Sequence, residues 1–275
     1  MKSQTLSVPG ATLYHEVRGA GPVLLLLPGG GGDAAIFDVI AAPLAERFTV
    51  VAVDPRGYSH SVLDGPPVEQ RVDVQSDDAF RLLDAVVPAG ERAYVFGGSS
   101  GAIVALDLLA RHPDRLERVV AHEPPCFAIL PDAAEQLAFV EEVYGLFRRD
   151  GLGPAVARFL DGIGGTLKPL PDPATLPPRA AEMMARLAAN APLMFAHELR
   201  SFTSYVPDVT ALSAVSDRLV LAAGEESRGH LPHRPATVLA DQLGIKLTEF
   251  PGGHSGFTDA PEAFVARLLE VYGHD

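Results

Sequence analysis

The sequence predicts an α/β fold with a mostly parallel central sheet, helices on both faces and a helical insertion. Three observations carry this reading. Continuous apolar runs of strand length alternate with segments of helical apolar period. A glycine-serine turn, Gly97-Gly98-Ser99-Ser100-Gly101, joins one such run to a helical one. Between two late strands, roughly ninety residues carry helical periodicity and no strand signal.

Taken in order, Thr12–Val17 alternates as an early antiparallel strand does. Val23–Leu27 is apolar throughout, as expected of a strand buried on both faces, and Thr49–Val53 repeats the pattern before Asp54-Pro55-Arg56-Gly57. An amphipathic helix is expected over Val72–Val87, stopped by Pro88. Ala93–Phe96 and Leu116–Ala121 read as strands on either side of the helix that carries Ile103, Val104, Leu106 and Leu109. Arg218–Ala223 and Lys246–Phe250 resume the strand pattern, and a last helix covers Pro261–Val271.

The insertion is predicted to hold helices over Asp132–Arg149, Pro154–Leu160, Arg179–Asn190 and Leu193–Tyr205. The proline-rich breaks Lys168–Pro173 and Pro177-Pro178 separate them. This divides the chain into a core of residues 1–125 and 206–275 and a lid of residues 126–205. The lid would stand over the carboxyl ends of the strands, where open α/β sheets bind ligands.

At 275 residues and 47% hydrophobic content the chain suits one large α/β domain and is too apolar to be disordered. A formal charge of −13 argues against nucleic acid or an anionic membrane surface as partner, and no apolar run reaches spanning length. The one cysteine, Cys126, excludes an internal disulfide. It fits a reducing, cytoplasmic setting, as does a start with no hydrophobic targeting segment. The histidines have no zinc-protease spacing and one cysteine makes no thiolate cluster, so no metal or organic cofactor is expected.

Gly97, Ser99 and Gly101 form G-x-S-x-G on a strand-to-helix turn, the context in which this motif holds a nucleophile. Such a turn forces its serine into an unusual backbone conformation, and the glycines remove clashes between strand and helix. Ser100 is the competitor, since Gly98-Ser99-Ser100-Gly101-Ala102 also fits a small-x-Ser-x-small pattern. The centred glycines favour Ser99.

With Leu27-Pro28-Gly29-Gly30-Gly31-Gly32, Asp54-Pro55-Arg56-Gly57, the Ser99 turn and Gly252-Gly253-His254-Ser255-Gly256 in this order, the chain resembles the α/β-hydrolase family over essentially its whole length. Gly98–Ala102 with His122-Glu123-Pro124 is similar to the lactone-hydrolysing branch that includes the zearalenone hydrolases. That resemblance implies an acid placed after the strand that follows the nucleophile. Many relatives begin the glycine loop with histidine where this chain has Pro28; the loop acts through backbone N–H groups, which proline there need not disturb.

The resemblance implies Ser99 as nucleophile, His254 as general base, and Gly30 and Ser100 as oxyanion donors through their N–H groups. His254 follows the last strand and completes the order Ser, acid, His. For the acid, Glu123 ends its strand before two prolines and is preferred to Glu226. The position where many relatives hold aspartate is here Ser227. His230 and His233 read as solvated loop residues, His122 as buried beside the acid, and Asp54 as a structural turn residue. Phe127, Ile129, Leu130, Met183, Met184, Phe195, Phe202 and Tyr205 are expected to line an apolar substrate pocket under the lid.

These readings imply a serine hydrolase whose partner is a small-molecule ester or lactone; a homodimer is compatible with the sequence. A cofactor-free haloperoxidase-like enzyme or C–C bond hydrolase would use the same triad. A ligand receptor on this scaffold would keep the triad and turn over slowly.

Overall fold

The computed structural model describes residues 1–164 and 173–274. Its strands are β1 (Lys2–Val8), β2 (Ala11–Arg18), β3 (Val23–Leu27), β4 (Thr49–Val53), β5 (Val62–Leu63), β6 (Ala93–Gly98), β7 (Leu116–His122), β8 (Leu219–Gly224) and β9 (Thr248–Phe250). They form one sheet in the order β1-β2-β4-β3-β6-β7-β8-β9, with β5 paired to β2. The pairs from β4 through β3, β6, β7 and β8 to β9 are parallel, while β1 and β2 add an antiparallel edge.

The side-chain period of two explains the apolar runs. Leu25, Leu27, Val51, Val53, Val95 and Val119 point to one face of the sheet. Leu24, Leu26, Val50, Ala52, Phe96 and Val120 point to the other. On the first face lie α2 (Val72–Val86), α3 (Ser100–Arg111), α8 (Val209–Ser213) and α9 (Arg234–Leu243), contributing Leu82, Leu83, Ile103, Leu108, Leu212 and Leu239 to a continuous core. On the second lie α1 (Asp38–Leu44) and α11 (Pro261–Tyr272), with Ile40, Leu44, Phe264 and Leu268. A short helix, α10 (Gly256–Asp259), precedes α11.

Between β7 and β8 the chain leaves the sheet as α4 (Ala133–Asp150), α5 (Leu152–Gly162), α6 (Pro178–His197) and α7 (Leu199–Thr203), followed by α8. Phe139, Val140, Val143, Ala155, Phe195 and Leu199 form an apolar cluster of their own, joined by Phe127 and Leu130 from the segment before α4 and by Leu231 from the segment after β8. The expected break at residues 168–172 lies outside the described residues. Pro177 and Pro178 stand at the start of α6, between helices as expected, with Pro178 at the first helical position that proline favours.

Three expectations are corrected. The helices expected over Arg179–Asn190 and Leu193–Tyr205 are replaced by one helix through Pro192, then the short α7. Pro192 leaves the carbonyl of exposed Ala188 without its helical donor, where water can take it. Lys246 and Leu247 precede β9, which starts at Thr248. β1 and α1 were not expected; β1 is almost wholly exposed and so has no apolar alternation to betray it.

Candidate active site

Parallel register brings the chemistry to one edge of the sheet. Gly98 at the end of β6 pairs with His122 at the end of β7, and His122 with Ala222 in β8. The residues that follow these strands therefore emerge side by side. Ser99 is the first, at φ 54° and ψ −122°. Its turn admits no side chain on the flanking glycines. A β-carbon on Gly97 would lie 2.2 Å from the Gly101 carbonyl oxygen, and one on Gly101 would lie 2.2 Å from that of Leu27.

Glu123 is the second, also at positive φ, 48°. Among the described non-glycine residues only Ser59, Ser99 and Glu123 adopt this region, and such strain collects at functional sites. The Glu123 carboxyl is buried; Oε1 accepts the Gly224 N–H at 2.9 Å and Oε2 lies 2.6 Å from His254 Nδ1. Burial alone would raise its pKa. The hydrogen bond and charge of His254, with His122 and the Gly224 N–H, outweigh that and bring the carboxyl down to about 2. It is thus an anion held against one imidazole nitrogen. Glu225 and Glu226 are exposed, and among the described residues neither forms a hydrogen bond or ion pair with His254.

His254 sits after β9, in the turn Gly252–Ser255, and lines the same cavity as Ser99. No hydrogen bond closes between their side chains among the described residues; apo sites of this kind often tighten only around substrate. His122 is fully buried against Phe96, Phe250 and Phe264, and burial pushes its pKa down to about 4. Burial raises the Cys126 thiol well above its ordinary value, leaving it inert. Asp54 accepts the Ala34 and His60 N–H groups at 2.8 Å and 3.0 Å, which makes it a turn residue. His230 is exposed, whereas His233 is half-buried and its Nδ1 meets the Thr237 hydroxyl at 3.1 Å.

The glycine loop after β3 runs past the serine: a β-carbon on Gly29 would lie 3.1 Å from Ser99 Cβ. Gly30 and Ser100 both line the cavity, and neither N–H takes a protein acceptor among the described residues. Helix α6 fastens to this loop. Asn190 Nδ2 donates to the Gly31 carbonyl at 2.9 Å, and Arg186 Nε pairs with Asp33 at 2.6 Å. The third strained residue, Ser59, belongs to the same tether: its N–H donates to Asn190 Oδ1 at 3.0 Å.

The cavity holds about 300 Å³ and is mostly apolar. Phe127, Phe195 and Phe202 line it; Ile129, Leu130, Met183, Met184 and Tyr205 do not, which corrects that part of the expected pocket. Ile129 packs on the main core, Leu130 joins the cluster of the inserted helices, and the Tyr205 hydroxyl donates to Asp107 Oδ1 at 2.8 Å. Met183 and Met184 are half-buried and lie about one turn before the lining stretch of α6. That stretch is Leu187, Ala191 and Met194, and Phe159 and Phe257 complete the wall. Its spacing of four and three residues is a helical stripe, visible once the helix is read through Pro192. Among the described residues no cluster of three or more His, Cys, Asp or Glu side chains could hold a metal ion.

The family described as the α/β hydrolase fold matches residues 22–259, and the chain belongs to it. It is 37% identical to the uncharacterized hydrolase YraK of Bacillus subtilis (strain 168), over 97% of this chain and 94% of that protein. It is 27% identical to a zearalenone hydrolase of Bionectria ochroleuca, over 97% and 96%. Among solved structures, a hydrolase from Pseudomonas aeruginosa PA01 superposes with a TM-score of 0.74 at 25% identity, covering 98% of each chain. The chain is an α/β hydrolase. No helix among the described residues is long and apolar enough to cross a membrane.

Proposed function

We propose that this hydrolase cleaves a bulky, hydrophobic ester or lactone through a Ser99-His254-Glu123 triad and an acyl-enzyme. The observation that carries the reading is the 2.6 Å contact of a buried Glu123 carboxylate with His254, beside a strained Ser99 on the same cavity. Glu123 holds Nδ1 as the N–H tautomer, leaving Nε2 free to accept the Ser99 proton. Ser99 Oγ attacks the carbonyl carbon, and its proton passes to Nε2. The Gly30 and Ser100 N–H groups receive the oxyanion, where one donor is worth about 3 kcal/mol. Collapse breaks the acyl–oxygen bond, and the imidazolium returns the proton to the leaving alkoxide. Water then repeats the cycle on the acyl-enzyme. In a lactone the freed alcohol is part of the acyl group, so no product leaves the enzyme until deacylation.

Residues 126–205 serve as a lid over the core of residues 1–125 and 206–275, with α6 supplying much of the substrate wall. The aromatic and methionine lining supports a large apolar acyl group, and the zearalenone hydrolase relative supports a lactone. A fluorophosphonate probe with peptide mapping, followed by kinetics on an ester and lactone panel, tests both parts. Adduct formation at Ser99 and specificity constants rising with apolar size are expected. Labelling at Ser100 with full activity in Ser99→Ala would refute the triad.

A further inference from the structure

Just past the end of α6 a carboxyl group enters the core beneath the two oxyanion segments, and the reaction above gives it no task. Glu198 is buried. Its Oε2 accepts the hydroxyl of fully buried Tyr58 at 2.5 Å, while Oε1 has no regular hydrogen bond among the described residues. Oε1 faces Gly30. A β-carbon built on that glycine would lie 2.7 Å from Oε1 and 3.1 Å from Ser100 Oγ. Glu198, Gly30 and Ser100 therefore meet at one point, and the last two carry the N–H groups assigned to the oxyanion.

Four groups face this carboxyl: Tyr58 from the turn after β4, Gln75 from α2, Ser100 from α3 and Gly30 from the loop after β3. None of them carries a charge at neutral pH. On its own segment Met194 packs beside Gly30, and His197 and Arg200 each approach Glu69 at 3.9 Å. Burial without a cation raises the pKa of Glu198, and the dipoles of Tyr58, Ser100 and Gln75 oppose that only in part. A protonated acid also suits the geometry, because its O–H gives the unmatched Oε1 a donor to offer the Ser100 hydroxyl.

We propose that Glu198 is a positioning residue of the acyl-transfer step: it seats the end of α6 against Gly30 and Ser100 and keeps their N–H groups aimed at the oxyanion. This rests on the Ser99 reading. Ionised, the same buried group would set a negative charge behind the developing oxyanion, and would oppose the transition state more than substrate binding. Rising pH should thus lower kcat, with little change in KM.

The test is kcat and KM on a p-nitrophenyl ester from about pH 6 to about pH 10 for wild type, Glu198→Gln, Glu198→Ala and Ser99→Ala. The amide imitates the protonated acid, so Glu198→Gln should keep kcat within about threefold at neutral pH and lose the alkaline decline. Glu198→Ala should lose at least about tenfold in kcat with KM within about twofold. A Glu198→Gln variant as impaired as Glu198→Ala, or one that keeps the alkaline decline, would overturn the assignment, as would an unimpaired Glu198→Ala. If Glu198→Ala fails to fold by circular dichroism, the pH profile of Glu198→Gln decides alone. Wild-type turnover in Ser99→Ala would refute the serine reading itself, an outcome separable from failure at Glu198.

Discussion

The Ser99 N–H donates to the His122 carbonyl oxygen at 2.9 Å, so the residue after β6 is stitched to the residue immediately before Glu123. This one bond continues the β6–β7 ladder past Gly98 and sets Ser99 and Glu123, the proposed nucleophile and acid, on neighbouring backbones, both at positive φ. The separation of the two is therefore a property of strand register, not of flexible side chains.

Glu123→Gln tests the charge at this position. The amide can fill the same space and still accept the Gly224 N–H, but it does not stabilise an imidazolium. Turnover should fall by orders of magnitude, up to about ten-thousandfold, with the fold retained. Glu226→Gln, at an exposed site, should change activity little. Steady-state kinetics on both variants with a circular dichroism check decides; a silent Glu123→Gln would remove the acid from the triad.

The glycines of the Ser99 turn and a glycine in α4 should respond in opposite ways to one added methyl group. Gly101→Ala forces a β-carbon to 2.2 Å from the Leu27 carbonyl oxygen, so soluble yield and activity should collapse. Gly145 lies within α4, with nothing within 4 Å of an added β-carbon. Gly145→Ala should stabilise by about 0.5–1 kcal/mol through helix propensity alone. Urea denaturation measures the gain, and a destabilised Gly145→Ala would contradict the open space seen there.

The parts of this site that could be read in the sequence are those whose physics is local. Ser99 shows through the glycines its turn needs, and Glu123 and His254 through the strand ends that precede them. Glu198 was invisible because its meaning comes from Tyr58 and Gly30, which are distant in the chain. Met194 was hidden behind Pro192, whose lost hydrogen bond suggests a break that tertiary tethers at Arg186 and Asn190 override. The expected lining held for Phe127, Phe195 and Phe202 and failed for Met183 and Met184, which lie about one turn short of the cavity along α6. Tyr205 turns to Asp107, while Leu187, Ala191 and Met194 share the face that meets the cavity.

Substrate size should be tunable from α6. Ala191 is the smallest side chain on that face of the cavity, so Ala191→Phe would fill part of the space of about 300 Å³. Specificity constants for bulky esters should fall about tenfold or more relative to acetate esters, which need little of that space. Equal losses across an ester series would mean that this wall does not select the acyl group.

Stability should depend on pH in opposite senses through two of the buried carboxyls, Glu123 and Glu198. Glu123 is held at about 2, below its ordinary value of 4.5, so the unfolded chain binds its proton more readily. Its contribution is present above pH 4.5 and is lost as pH falls toward about 2. Glu198 is shifted upward from the same ordinary value of 4.5, so the folded chain holds the proton more tightly. Its contribution is present below pH 4.5 and is lost as pH rises through the folded-state pKa. Glu198→Gln cannot ionise and should gain stability relative to wild type on the alkaline side, while the advantage of wild type over Glu123→Gln should shrink under acid. Urea titrations of the three proteins from about pH 3 to about pH 9 separate the effects. A Glu198→Gln variant that grows less stable than wild type as pH rises would show that the carboxylate, not the acid, is the form the fold prefers.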